Sequence, residues 1–359
     1  MHKISHLQTL APKRFEASVI LKRLNAASRK LAELKGIADS IPNQGILINT
    51  LGLQEAKDSS SIENIITTHD ELFKDDASPE TSTNPAAKEV LRYRQALRIG
   101  FERVGETGLL TLNHILEIQS VLESNQAGFR KVPGTVLKDG AGRTVYTPPP
   151  PQDVPALMDG LERFLNDPAL FDADPLIKMA LSHHQFESIH PFYDGNGRTG
   201  RILNVLYLVQ QGLLDIPILY LSRHIVRRKD DYYRLLQTVR ERDAWEEWVL
   251  YILTGVEATA TEAVAAITSI REALLDAKHR IRAQFKFYSH DLINNLFSHP
   301  YTKIEFVMRD LDVSRLTATK YLDALVQGGF LEKKKVGRTL YFINPPLNAI
   351  LTGEAMREP

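Results

Sequence analysis

The sequence predicts an all-α protein interrupted by a single β-hairpin and closed by a small winged unit. Three observations carry that reading. Apolar residues recur every third or fourth position through most of the 359 residues, the spacing that lines one face of a helix. Alternating Val/Thr-rich stretches are few, and no internal repeat is present. In the last sixty or so residues the pattern becomes three short helical segments followed by two short strand signals around "KKKVGR".

Taken in order, "ASVILKRLNAASRKLAELKGIADSI" opens a helical N-terminal region, and "FKDDASPETSTNPAAKEV" then breaks the period with acids, Ser, Thr and two prolines, predicting a loop from Phe73 to Pro85. Helical spacing returns in "AAKEVLRYRQALRIGFERV" and "TLNHILEIQSVLES". Next, "GFRKVPGTVLKDGAGRTVYTPPPP" holds two β-branched runs, Thr135 to Leu137 and Arg143 to Tyr146, around the turn formers "KDGAG". That is a hairpin or flap. Helices resume at "QDVPALMDGLERFLND" and "DPLIKMALSHHQFESI". "TGRILNVLYLVQQGLL", apolar on nearly every side, suits the centre of a bundle. Long helices follow through "KDDYYRLLQTVRER" and from Trp245 to about Gln284, and a helix from about Ser314 to Val326 precedes the wing. The expected division is 1–88, an N-terminal helical region; 89–255, a core; 256–285, a connecting helix; and 286–359, a winged helix-turn-helix.

Lys+Arg and Asp+Glu both number 44, so electrostatic function must be local. The absence of cysteine excludes disulfides, thiolate zinc sites and cysteine nucleophiles. The first eighteen residues lack the apolar core of a secretory signal, and the apolar runs fall short of the roughly 18 residues of a membrane span. A cytoplasmic protein without a membrane partner is the expectation. Between residues 281 and 345 ten Lys/Arg face six Asp/Glu. Arg315, Thr317, Thr319 and Lys320, with Lys333 to Lys335 and Arg338 on the wing, could meet DNA; the same unit could equally serve dimerisation or protein docking.

The chemistry concentrates in "HPFYDGNGRTGR", His190 to Arg201. Pro191 pushes the residue before it out of the α region, so His190 sits where a helix ends and its side chain can enter a cleft. Gly195 and Gly197 allow positive φ, and a helix beginning near Arg198 would turn several N–H groups toward one point, an anion-binding nest. Arg198 and Arg201 share a face of the first turn and offer two guanidinium forks to phosphate oxygens. Asp194 supplies a hard oxygen ligand of the kind that holds Mg²⁺ beside phosphates. The set reads as base, metal ligand and polyphosphate cradle. His183 and His184 precede it without the HExxH spacing of a zinc site.

This stretch resembles the signature of the Fic family, H-P-F-x-D/E-G-N-G-R-x-x-R, at every defined position, with Tyr193 at the free one. The resemblance extends to "GFR" at Gly128 to Arg130, "PPPPQDV", the central helix and "KDDYY", covering roughly residues 10 to 250. It implies an all-helical Fic core that transfers AMP from ATP to a Tyr, Ser or Thr hydroxyl of a target protein, itself included, releasing pyrophosphate. In that scheme His190, with an ordinary imidazole pKa, is the general base. Asp194 holds Mg²⁺, and Gly195, Asn196 and Gly197 neutralise the α- and β-phosphates. Arg198 takes the β-phosphate region and Arg201 the γ, with Thr199 and Gly200 completing the ATP-binding run. The strand Thr135, Val136, Leu137 receives the target as an added strand. Tyr232 lines the adenine pocket; a core tyrosine is the alternative. Ser59, Glu63 and Asn64 in "SSSIEN" resemble the family's inhibitory pattern S/T-x-x-x-E-G/N, which implies that Glu63 pairs with Arg201 and turns the γ-phosphate away. Removal of AMP, transfer of another group, a nucleotide-sensing DNA regulator and a homo-oligomer remain open beside this reading.

Overall fold

The computed structural model describes residues 7–78, 84–336 and 339–353. Among the described residues are fifteen α-helices, a few short 3-10 turns and two small sheets. The N-terminal region holds α1 (Ser18–Ala38), α2 (Gln44–Ile62) and α3 (His69–Ala77). The side chain of Asn43 accepts from the Gly45 N–H at the start of α2, and Thr68 and Glu71 form a reciprocal capping box on α3. The loop expected from Phe73 therefore begins later: that box and the buried Leu72 and Phe73 keep the chain helical to Ala77, and residues 79–83 lie outside the described residues.

α4 (Pro85–Thr107) starts on an Asn84 cap with proline at its first position, and α5 (Leu112–Glu123) returns antiparallel to it. The hairpin follows as β1 (Leu137–Lys138) and β2 (Thr144–Tyr146), with Leu137 opposite Tyr146, Lys138 opposite Thr144 and a bulge between. It is shorter than the β-branched runs suggested: Thr135, Val136 and Arg143 lie outside the strands, and only Leu137 of the three expected flap residues is paired. α6 (Val154–Asn166), α7 (Pro175–Ile189) and α8 (Asn196–Gln210) come next. Fourteen of the fifteen residues of α7 are buried, which makes it, with α8, the centre of the bundle.

α9 (Leu221–Arg227), α10 (Lys229–Arg242) and α11 (Trp245–Gln284) close the core. α11 lies along α1 and runs without a break through the expected 255/256 division. By length and composition it could cross a bilayer, but half of that stretch is buried inside this fold.

The last unit runs α12 (His290–Ser298), β3 (Tyr301–Thr302), α13 (Ile304–Leu311), α14 (Arg315–Gln327), β4 (Glu332–Val336), β5 (Thr339–Ile343) and α15 (Pro345–Thr352), which contains the three helices and two strands expected and adds the short β3 and α15. The sheet order is β3-β5-β4, antiparallel throughout. This unit does not stand apart. α12 and α15 pack on α2, the Gln54 side chain donates to the Leu351 carbonyl at 2.6 Å, and the Tyr301 hydroxyl donates to Asp70 at 2.7 Å.

Candidate active site

The motif folds as the end of α7, a short loop and the start of α8. His190 caps α7 in the left-handed region (φ 49), its N–H donating to the Phe186 carbonyl at 2.9 Å. Half-buried there, its imidazole is not the ordinary one expected. Burial, and then the nearby guanidiniums of Arg240 and Arg130, push its pKa down to about 4 against a smaller opposing pull from Glu63. The ring is neutral at pH 7.

After Pro191 the loop is braced by Asn196. Its Oδ1 accepts from the Phe192 N–H at 2.8 Å and its Nδ2 donates to the Phe192 carbonyl at 3.0 Å. The amide expected to meet phosphate is thus spent on loop geometry, which shapes the nest from behind. Gly195 alone of the two loop glycines has positive φ (77); the helix starts at Asn196, two residues earlier than expected, so Gly197 is already helical. Its lack of a side chain matters for another reason: a Cβ on Gly197 would lie 2.4 Å from Glu63 Oε1. No side chain caps this helix start, which leaves the first-turn N–H groups to whatever anion enters. Gly200 lets α8 pack closely on Phe186 and Glu187 of α7, and Thr199 is fully buried, its N–H donating to the Gly195 carbonyl.

Both motif arginines are buried and both are held by acids from elsewhere in the chain. Arg198 donates to Glu89 at 2.9 Å and to Glu123 at 2.8 Å. Arg201 donates through Nε to Ser59 Oγ at 2.8 Å, and through Nη2 to the Ser59 carbonyl at 3.0 Å and to Glu63 Oε1 at 2.9 Å. Burial would raise the Glu63 carboxyl, but the charge and hydrogen bond of Arg201, with Arg198 and Lys229 beyond, hold it below its ordinary value. Glu123 is held above its own by burial, with Asp194 and Glu89 adding to the effect of burial and Arg198 opposing it. Sequence reading missed Glu89 and Glu123. Each is one acid on an amphipathic helix, and nothing in its spacing points to Arg198.

Glu63 is placed by the way α2 ends. It is the cap residue, and Asn64 follows in the left-handed region (φ 63). The Asn64 N–H donates to the Ser61 carbonyl and the Ile65 N–H to that of Ser60, both at 3.1 Å, which is a Schellman closure. The Gly-or-Asn position of the inhibitory pattern is therefore the one position that needs a left-handed backbone. Lys229 at the start of α10 donates to the Ile62 carbonyl at 2.5 Å and to Asn64 Oδ1 at 3.4 Å, tying the helix end down.

Tyr232 is a correction. Its ring is 1% exposed among His183, Trp248 and Tyr251, and its hydroxyl is 2.9 Å from His183 Nε2. It fastens α10 to α7 in the core, the alternative position the sequence allowed for it. His183 and His184 are likewise core residues, kept neutral with pKa values of about 3 chiefly by burial. In the tail, Arg315 pairs with Glu305, Lys333 with Asp323 and Lys334 with Asp70, so half of the basic groups considered for DNA are engaged within the chain; Arg338 lies outside the described residues.

Asp194 is exposed beside the nest, with Oδ1 accepting the Gly195 N–H at 2.7 Å. No cluster of three or more potential ligands occurs among the described residues. One exposed carboxylate beside an anion nest fits Mg²⁺ held jointly with phosphate and water.

The N-terminal model of the Fic/DOC family matches residues 21–102, the Fic/DOC family model residues 109–208, and the C-terminal domain model of SoFic-like protein adenylyltransferases residues 274–347. Among curated relatives, the protein adenylyltransferase Fic of Aedes aegypti is 34% identical over 164 residues, 43% of this chain and 30% of the relative. That of Nematostella vectensis is 27% identical over 201 residues, 53% and 44%. The chain thus spans under half the length of these relatives, from 30% to 44%. Among solved structures, a Fic family protein from Desulfovibrio desulfuricans G20 aligns with TM-score 0.53 at 22% identity, covering 89% of this chain and 95% of that one. A fragment of Fic-1 from C. elegans aligns with TM-score 0.55 at 19% identity, covering 72% and 75%.

Proposed function

The chain belongs to the Fic family, and on that footing we propose that it transfers AMP from ATP to a hydroxyl of a target protein and that its own α2 holds the reaction in check. The observation that carries the transfer is the junction of a neutral His190 with an uncapped helix start and two arginines within twelve residues. His190 accepts the proton of the target hydroxyl as that oxygen bonds to the α-phosphorus. The bond from α-phosphorus to the bridging oxygen of the β-phosphate breaks, and pyrophosphate leaves. The N–H groups of the α8 start face the phosphates, and Arg198 and Arg201, once freed of their acids, receive the β- and γ-phosphates. Asp194 would hold Mg²⁺, whose charge would offset that of the α- and β-phosphates. Exposed Val132, Val136 and Val145 of the hairpin region offer the target segment a seat.

The restraint is carried by one contact, Arg201 to Glu63. While it persists, the γ-phosphate lacks its cation. Incubation with α-labelled ATP and Mg²⁺ tests the transfer: label is expected on protein, the chain itself included, and none with His190→Ala, whose ATP affinity stays within about threefold of wild type. Transfer by His190→Ala at the wild-type rate would remove His190 from the mechanism.

A further inference from the structure

A helix leaves its last four carbonyls without partners inside the helix, and at the His190 end of α7 all four are taken. The Phe186 carbonyl accepts the His190 N–H at 2.9 Å, and that of Glu187 accepts Arg240 Nη2 at 3.2 Å. The Ser188 carbonyl accepts the Tyr146 hydroxyl at 2.9 Å, and that of Ile189 accepts Arg130 Nη2 at 3.3 Å. Three side chains from three separate segments, α10, β2 and the loop ahead of the hairpin, meet on one helix end. Arg130 goes further, donating through Nε to the His190 carbonyl at 2.8 Å, through its own N–H to that of Pro191 at 2.9 Å, and also to that of Pro149.

Arg240 joins two of these. Its Nε donates to Ser188 Oγ at 3.0 Å, and its guanidinium lies 3.8 Å from the centroid of the Tyr146 ring. Among the described residues neither Arg240 nor Arg130 forms a salt bridge. A cation kept in partial burial without an acid partner costs stability; here its donors are spent on helix-end carbonyls and a hydroxyl. Tyr146 is the one buried residue of the hairpin strands, and it stands opposite Leu137, the flap residue that is paired. Whatever fixes Tyr146 fixes the strand edge.

We propose that Arg240 and Tyr146 are positioning residues that lock the hairpin to the His190 end of α7, so that the base and the seated target strand keep a single register. The inference rests on the reading of His190 as base and the hairpin as target seat. The charged groups facing His190 are Arg240 from α10, Arg130 from the loop ahead of the hairpin, and Glu63 from the end of α2. Removal of the α10 charge should therefore be felt by the imidazole as well as by the hairpin.

The test compares the full wild-type chain with Arg240→Met, Arg240→Lys and Tyr146→Phe by two measurements that need no turnover. Amide hydrogen exchange should quicken by at least about tenfold at Leu137, Lys138 and Thr144 in Arg240→Met and Tyr146→Phe, with amides inside α8 unchanged. NMR titration of the His190 imidazole should move up toward the ordinary histidine value in Arg240→Met and stay low in Arg240→Lys, which keeps the charge. With a target in hand, KM for that target should rise while ATP affinity holds. Unchanged hairpin exchange in Arg240→Met and Tyr146→Phe overturns the proposal, and so does exchange that quickens equally through α7 and α8, the mark of general loosening. Should Arg240→Met fail to fold, Tyr146→Phe decides it through the hairpin amides. If the wild type transfers no AMP, the proposed function fails while exchange and titration still judge the lock.

Discussion

At His190 and Glu63 the surroundings favour the neutral imidazole and the charged carboxylate on which the proposed transfer and the proposed restraint depend. His190 has a pKa of about 4, so its free-base form is present throughout the neutral range. Glu63 is held below its ordinary value. Its contact with Arg201 is present in full above the ordinary carboxyl pKa of roughly 4.5 and is lost as pH falls through the lower folded value. The expected pH–rate profile is accordingly flat on its acid side from pH 7 to about pH 5. A limb near pH 6.5 would show that His190 titrates as a free imidazole. That His190, Asp194, Arg198 and Arg201 gather at one helix junction was legible because a single dense motif holds all four, whereas Glu63 was readable only through the likeness of "SSSIEN" to the inhibitory pattern. The shifted imidazole was not, since Arg130 and Arg240 lie 60 and 50 residues away in sequence and meet His190 only through folding. Tyr232 misled for the same reason: an amphipathic helix shows which face is apolar but not whether that face meets a cleft or a core.

At the scale of elements, α2 ends in a left-handed residue that sets the direction of the Glu63 side chain. Asn64→Ala should cost about 1 kcal/mol in stability, the ordinary penalty for a β-carbon in that region, and should raise AMP transfer by loosening Glu63. Asn64→Gly should leave both near wild type. Equal behaviour of the two variants in denaturant midpoint and transfer rate would separate the helix end from the restraint. Helix order and the long α11 were readable from period alone, because a 3.6-residue repeat survives over many turns. The hairpin was readable in place but not in length: the β-branched Thr135 and Val136 suggest strand, yet nothing pairs opposite them.

For the whole molecule, every residue to which the sequence lends a chemical role lies before Tyr233, which taken alone would leave transfer independent of the tail. The packing of α12 and α15 on α2, with Gln54 bonded to Leu351 and Asp70 to Tyr301, changes that expectation. Ending the chain at Gln284 should lower the thermal midpoint by at least about 5 °C and raise transfer per folded molecule, because α2 loses its support. An unchanged midpoint with unchanged transfer would show the unit to be a passenger.

The central claim is that one intramolecular acid withholds Arg201 from the nucleotide. It is tested most directly by the transfer rate per folded molecule in wild type, Glu63→Gly, Arg201→Ala and the double variant. Occupation of Arg201 nine-tenths of the time or more needs only about 1.4 kcal/mol. Glu63→Gly should then transfer AMP at least about tenfold faster than wild type, and Arg201→Ala in that background should abolish the gain. A Glu63→Gly rate equal to that of wild type would contradict the account.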